Sequence, residues 1–237
     1  MIANPGWPQR DDIMPAAVAG DLSIQREQRT EHDDDSDLPA VVRATASEAR
    51  DLSWLIGRSF QDLDPSVALV EEEKFRTTIL SGHFETIVEH AMNYGHVYVL
   101  QDRSAVAVWF DHTTPVPEPE DYDRRRAAAG GQWTENLVQL DALQKRHHPE
   151  YPHHYLAFLA VADTVQHTGR GSKMLAHHHA VLDAAGIPAY LEAASWHLTR
   201  FYLKHSYRRG EPFHLPDNGP AFWPMLRWPR RSGNCEG

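Results

Sequence analysis

Apolar positions along the chain follow two rhythms, and their order predicts a sheet interleaved with helices. Val41-Val42-Arg43-Ala44-Thr45 is a short β-branched run that reads as a first strand. Ala49, Leu52, Leu55 and Ile56 then recur at three- and four-residue spacing, which predicts a helix over 46–60. A break at 62–65 precedes a second helical stretch over 70–93, with an interruption expected at Ser81-Gly82. His96–Leu100 and Ala105–Phe110 are β-branched and aromatic and flank the four polar residues 101–104, the pattern of an antiparallel hairpin. Pro115, Pro117, Pro119 and Gly130-Gly131 mark 112–132 as a long irregular excursion, closed by a helix over 132–145.

The second half carries the clearest alternation. Tyr155–Val161 reads as a strand, a glycine turn leads to a helix over 172–185, and Gly186-Ile187-Pro188 stops it before a strand at Ala189–Ala193. A short helix at 199–205 and terminal strands near 210–215 and 222–228 complete the pattern. Strand, loop, helix and strand within some 40 residues suit a βαβ-like unit with parallel neighbours, and the hairpin beside it makes the sheet mixed. The expected fold class is α/β (α+β), a central mixed sheet flanked by helices.

Residues 1–38 lack sustained periodicity and are read as a flexible or docking N-terminal arm, with 39–237 as the folded domain. Charge sharpens this division. The chain of 237 residues has a formal charge of −10, and residues 1–37 alone hold nine acidic and three basic side chains, so the remainder is close to balanced. With no basic surplus, nucleic acid is not an expected partner. The hydrophobic content of 41% is enough for a core. No apolar run reaches the 18 or so residues of a membrane span, and the N-terminus lacks the basic and apolar regions of a signal peptide, so a cytoplasmic protein without membrane contact is expected, as monomer or homodimer. Cys235 is the sole cysteine and rules out an intrachain disulfide.

The glycine turn runs Val161-Ala162-Asp163-Thr164-Val165-Gln166-His167-Thr168-Gly169-Arg170-Gly171-Ser172. Glycines beside a helix start leave main-chain N–H groups uncovered, and the helix terminus adds partial positive charge, a combination suited to a pyrophosphate. An ordinary tight turn would use the same residues. Met174 occupies the third glycine position of a dinucleotide fingerprint and Lys173 follows Ser172, the reverse of the P-loop order, so Rossmann and ATPase readings are poor. The sixteen histidines include adjacent groups at His147-His148, His153-His154 and His177-His178-His179, but neighbours in a helix do not share a face and no His-Glu-x-x-His set occurs; no metal is expected.

These residues carry a resemblance. Gln166-x-x-Gly169-x-Gly171 matches the Gln/Arg-x-x-Gly-x-Gly/Ala hallmark of the GCN5-related N-acetyltransferase superfamily. Ile187–Glu192 resembles its following strand, and Arg200–Tyr207 resembles its Phe-Tyr-x-x-x-Gly-Phe signature at the right spacing. With Trp223-Pro224-Met225, the pattern over 155–228 is similar to antibiotic-modifying, puromycin N-acetyltransferase-like members. Leu198 stands where an asparagine is frequent and Ser206 where the signature has glycine.

The resemblance implies transfer of an acetyl group from acetyl-CoA to a primary amine of a small molecule, such as an antibiotic or toxin. A protein amine as acceptor, or a non-catalytic acyl-CoA- or partner-binding role, is the alternative. It implies acetyl-CoA contacts at Val161, Gln166, His167, Thr168, Gly169, Arg170, Gly171 and Ser172, and a proton-donating role toward the leaving thiolate for Tyr202, which could equally pack its helix onto the sheet. Glu192, near a strand end, is a candidate base or a surface carboxylate; His154 and His197 are candidate bases by intrinsic basicity. Trp109, Trp133, Trp196, Phe201 and Trp223 are the candidates for an aromatic acceptor pocket.

Overall fold

The computed structural model describes residues 38–230, so the predicted N-terminal arm (apart from Leu38) and Cys235 lie outside the described residues. Eight strands form one mixed sheet: β1 (Val41–Arg43), β2 (Gly95–Leu100), β3 (Ala105–Asp111), β4 (His154–Val161), β5 (Ala189–Ala193), β6 (Arg208–Arg209), β7 (Phe213–His214) and β8 (Ala221–Arg227). Their order is β1-β2-β3-β4-β5-β8-β6, with β7 paired to β8. Every pairing is antiparallel except β4 with β5. The predicted hairpin and the parallel βαβ unit are both present.

Two apolar layers cover the sheet. β3 is central, and alternate residues serve each layer. Val106, Val108 and Phe110 join Leu52, Ile56, Leu80, Phe84 and Val88 from α1 (Ala49–Phe60) and α3 (Glu73–Tyr94). Ala105, Ala107 and Trp109 join Met174, Leu175 and Leu182 of α6 (Arg170–Ala185) and Tyr202 of α7 (Trp196–Lys204). No helix among the described residues is long and apolar enough to cross a membrane.

Three expectations are corrected. Helix α3 runs unbroken through Ser81-Gly82. Ser81 faces Gly57 of α1, where an added Cβ would run into Ser81 Oγ and lie 3.1 Å from the Thr77 carbonyl oxygen, so the small residues serve close helix packing and not a break. The interruption expected at 62–65 is the entry to a further helix, α2 (Asp64–Leu69), with Pro65 in its first turn, where a missing N–H costs nothing. The irregular excursion contains α4 (Tyr122–Gly130), because the prolines stop at Pro119 and the Arg-Ala run that follows forms helix readily. Gly131 begins a 3-10 turn, and α5 spans Thr134–His147.

Arg76, buried on α3, fastens the α1–α3 connection by donating to the carbonyls of Val70 (2.9 Å), Gln61 (3.1 Å) and Glu71 (3.3 Å). This fixes α2 as a wall beside the sheet.

Ser206, which replaces the glycine of the signature, follows the end of α7 with φ of 69°. The Ser206 and Tyr207 amides donate to the carbonyls of Leu203 and Tyr202 at 3.2 Å, closing the helix through a left-handed residue. Serine is disfavoured there by its Cβ. Ser206→Gly is expected to raise stability by about 0.5–1 kcal/mol in chemical denaturation, with the exposed Arg230–Ser206 hydrogen bond of 3.0 Å a small loss against it. An unchanged or lower midpoint would show that the turn carries no strain.

Candidate active site

The site begins with a defect in β4. Val108 pairs with Phe158 and Trp109 with Leu156, so Ala157 is an extra residue, a bulge. On its other side β4 pairs with β5 only at His154–Ala189 and Tyr155–Tyr190. Beyond these the strands part, and a wedge opens in the middle of the sheet. The glycine loop lies at the end of β4, and a cavity lies on the α1/α3 side of the wedge.

The loop is built to present main chain. His167 (φ 61°) and Gly169 (φ 85°) are left-handed, and α6 starts at Arg170. Lys173 is the first residue whose amide bonds back, to the Gly169 carbonyl at 2.9 Å; the amides of Arg170, Gly171 and Ser172 precede the helical ladder. Side-chain bonds back to the loop's own residues hold this shape. Gln166 Nε2 donates to the Val161 carbonyl (3.3 Å) and Asp163 (3.1 Å), and Thr168 Oγ1 donates to the Val165 carbonyl (2.6 Å). Arg170 is spent on Ser104 (2.9 Å), Thr168 (2.7 Å) and Asp102 (3.5 Å). Ser172 Oγ meets His205 Nε2 at 3.1 Å, and a Cβ on Gly171 would approach the Phe201 ring to 3.3 Å. What the loop offers an anion is therefore amides and helix polarity.

The cavity has a volume of about 520 Å3 and is open on one side to solvent. Its walls include Phe60, Phe84, Phe110, Phe158 and Phe222 with Leu63, Leu69, Leu80 and Ile87; its polar groups come from Glu192, Tyr155, Tyr122, Asp141 and the histidines 83, 90, 112 and 148, with Glu118, Gln144, Lys145 and Glu150 also lining it. The tryptophans expected in an aromatic pocket line none of it. Trp109 is fully buried behind the sheet against His178 (4.3 Å between ring centres), Trp133 packs on Phe75, and Trp196 pairs with Trp223. Phe201 sits by the glycine loop. The aromatic wall is phenylalanine, drawn from five different elements, which no local pattern reveals.

Glu192 points into this cavity from β5. Both carboxylate oxygens are shielded from solvent without a partner in hydrogen-bond geometry. Burial pushes the carboxyl up to about 7, and the Tyr155 and Tyr190 hydroxyls, near enough to favour the charged form, only partly oppose this. Asp141 differs. It accepts from Tyr122 Oη (2.8 Å) and Arg126 Nη1 (2.6 Å), with His83 Nε2 at 3.7 Å. Burial lowers His148 to about 3 and also depresses His83 and His112, so these rings are neutral at pH 7. Sequence reading missed Tyr122 and Arg126 because the helix carrying them was read as irregular chain, and Asp141, on a helix that was predicted, because its partners come from that other segment.

The remaining predicted residues lie elsewhere. Tyr202 is buried with Leu191 and Ala193 on the α6/α7 side, across the sheet from the cavity, and burial raises its phenol. His154 is on that side too, with Nδ1 3.0 Å from His178 Nε2 and Nε2 3.4 Å from Asp111 Oδ1; it does not line the cavity. His197 is exposed on α7.

No protein-family model matches the chain. Solved structures do. A structure described as histone acetyltransferase HPA2 and related acetyltransferase, from Corynebacterium glutamicum, superposes with a TM-score of 0.62 at 22% identity, over 81% of this chain and 97% of that one. An agmatine N-acetyltransferase gives 0.54 at 13% identity, over 81% and 100%. Arylalkylamine N-acetyltransferase 2 from Aedes aegypti gives 0.51 at 10%, over 81% and 99%. The chain has the fold of the GCN5-related N-acetyltransferases.

The raised Glu192 carboxyl has a thermodynamic consequence. Between its usual 4.5 and about 7 the native state holds a proton that the unfolded chain releases, so this group's contribution to stability is full below pH 4.5 and is lost as pH rises through 7. Glu192→Gln should be more stable than the parent at pH 8 by on the order of 2 kcal/mol, relative to their difference at pH 4.5. Urea denaturation of both proteins at the two pH values checks this, and a pH-independent difference would place the carboxyl in a solvated setting.

Proposed function

We propose that the chain is an acetyl-CoA-dependent N-acetyltransferase acting on the primary amine of a small molecule. The observation that carries this reading is the wedge between β4 and β5, which joins an amide-lined loop on one side of the sheet to a cavity holding a solvent-shielded carboxylate on the other. The donor supplies an acetyl thioester, open to attack by a neutral amine.

The chain's own residues divide the work. The amides of Arg170, Gly171 and Ser172 bind the pyrophosphate, and Gly171 keeps that surface free of a Cβ. The bulge at Ala157 takes main-chain N–H groups out of register beside the wedge, where one can donate to the developing oxyanion. Glu192 takes the proton from the attacking amine; a carboxyl near 7 is matched to that task at neutral pH. Tyr202, whose phenol stays protonated, donates to the departing thiolate from the α7 side. His154, behind the sheet, has no part in this scheme. The cavity's modest volume and mainly apolar lining favour a small acceptor over a protein segment, and the puromycin N-acetyltransferase-like signature supports an amino-bearing antibiotic or toxin as one such acceptor.

Calorimetric titration should show micromolar acetyl-CoA binding and none of NAD. The kcat/KM for an amine acceptor should then show an inflection near pH 7. In Glu192→Gln the inflection disappears and the rate falls on the order of 10²–10⁴-fold. Tyr202→Phe should lower kcat on the order of 10²-fold with little change in acetyl-CoA affinity. Absence of acetyl-CoA binding by folded protein, or a Glu192→Gln variant with parental rate and profile, would sink the scheme.

A further inference from the structure

The first turn of α6, which offers its amides to an anion, is held by two side chains of α7. Phe201 abuts Gly171, where an added Cβ would lie 3.3 Å from its ring, and His205, four residues on, brings Nε2 to 3.1 Å from Ser172 Oγ. The two rings meet edge to face with 4.8 Å between centres, so they form one contact surface. His205 also caps α7, its amide donating to the Tyr202 carbonyl at 2.9 Å. Burial and the charges of Arg227, Arg230 and Lys204 hold its imidazole below the ordinary range, so the ring is neutral at pH 7. Either neutral tautomer bonds a hydroxyl, accepting from it or donating to it. The bond matters because a serine oxygen otherwise turns to main-chain N–H groups nearby, the same groups that an anion needs at a helix start.

We propose that His205 is a positioning residue for acetyl-CoA: by holding the Ser172 hydroxyl against α7, it keeps the amides of Arg170, Gly171 and Ser172 open to the pyrophosphate. This rests on the reading of the glycine loop as the pyrophosphate site. His205 stands at an unspecified position of the Phe-Tyr-x-x-x-Gly-Phe signature, so the resemblance assigns it no role. It touches no reacting atom and acts through Ser172. The same helix carries Tyr202, so the bond also ties the loop to the element that presents the proposed proton donor.

Acetyl-CoA binding is measured by titration calorimetry on the full chain at pH 7.5 for the parent, His205→Ala, His205→Gln, Ser172→Ala and the double alanine variant. Urea denaturation of each shows that it is folded. His205→Ala is expected to weaken binding on the order of fivefold to tenfold, the worth of one side-chain hydrogen bond. His205→Gln, whose amide can donate or accept near the place of Nε2, should bind within about twofold of the parent. In the Ser172→Ala background the His205→Ala change should cost less than about twofold more, because the hydroxyl it acts through is gone. If His205→Ala does not fold, His205→Leu takes its place, keeping an apolar contact with Phe201 while lacking the bond. Parental binding by the folded alanine or leucine variant overturns the inference. So does a full further loss in the Ser172→Ala background, or no recovery in folded His205→Gln; either result assigns His205 to packing alone. A folded parent that binds no acetyl-CoA overturns the acetyl-transfer reading and this inference with it, before any variant is compared.

Discussion

The parting of β4 from β5 is the constraint on which the rest of the molecule depends. A parallel pair inside a sheet ordinarily continues its ladder, because each unpaired main-chain group away from water costs free energy. Here pairing stops after Tyr155 and Tyr190, and the bulge at Ala157 lets β4 stay attached to β3 while it turns away from β5. The same bulge shifts the facing of β4: Leu156 packs toward α6, whereas Ala157 and Phe158 both face α1 and α3. One inserted residue thus opens the sheet and brings Phe158 to the cavity wall.

On either side of that opening the chain solves different electrostatic problems. At the loop, the polar side chains are consumed in holding two left-handed residues, and the surface left over is backbone. In the cavity, burial does the tuning: it raises Glu192 and lowers His83, His112 and His148, while Asp141 is met by Arg126 and Glu118 by Lys145. A carboxylate shielded from water with only nearby phenols to answer it is costly in a folded protein. Glu192 sits in this state beside the cavity at the strand gap, where the proposed acceptor amine would give it a partner.

The supports of this arrangement lie in the helices that the chain places between its strands. Arg76 ties α3 to the chain entering and leaving α2, and the contact of Gly57 with Ser81 brings α1 and α3 together over the sheet. Asn136 of α5 donates to the Leu69 carbonyl at 2.9 Å, joining the last wall of the cavity to α2. These contacts involve buried or half-buried groups, and the longest, from Asn136 to Leu69, joins segments 67 residues apart.

Local sequence by itself determined the strands and helices that pack on both faces, the hairpin at 95–111, and the glycine loop with its helix. Each depends on neighbours within a few residues: period-two or 3.6-residue patterns, turn residues, and glycine where φ is positive. It also supplied Glu192 as a chemical candidate. Only the tertiary structure decided that Glu192 is shielded in a cavity while His154 is behind the sheet, because consecutive strand residues face opposite sides and a bulge changes the count. Only the tertiary structure brought Tyr122 and Arg126 of α4 to Asp141 of α5, and gathered five phenylalanines from distant segments around them. Burial, pairing and charge compensation are properties of residues far apart in the chain that meet in space, and no periodicity along the chain records them.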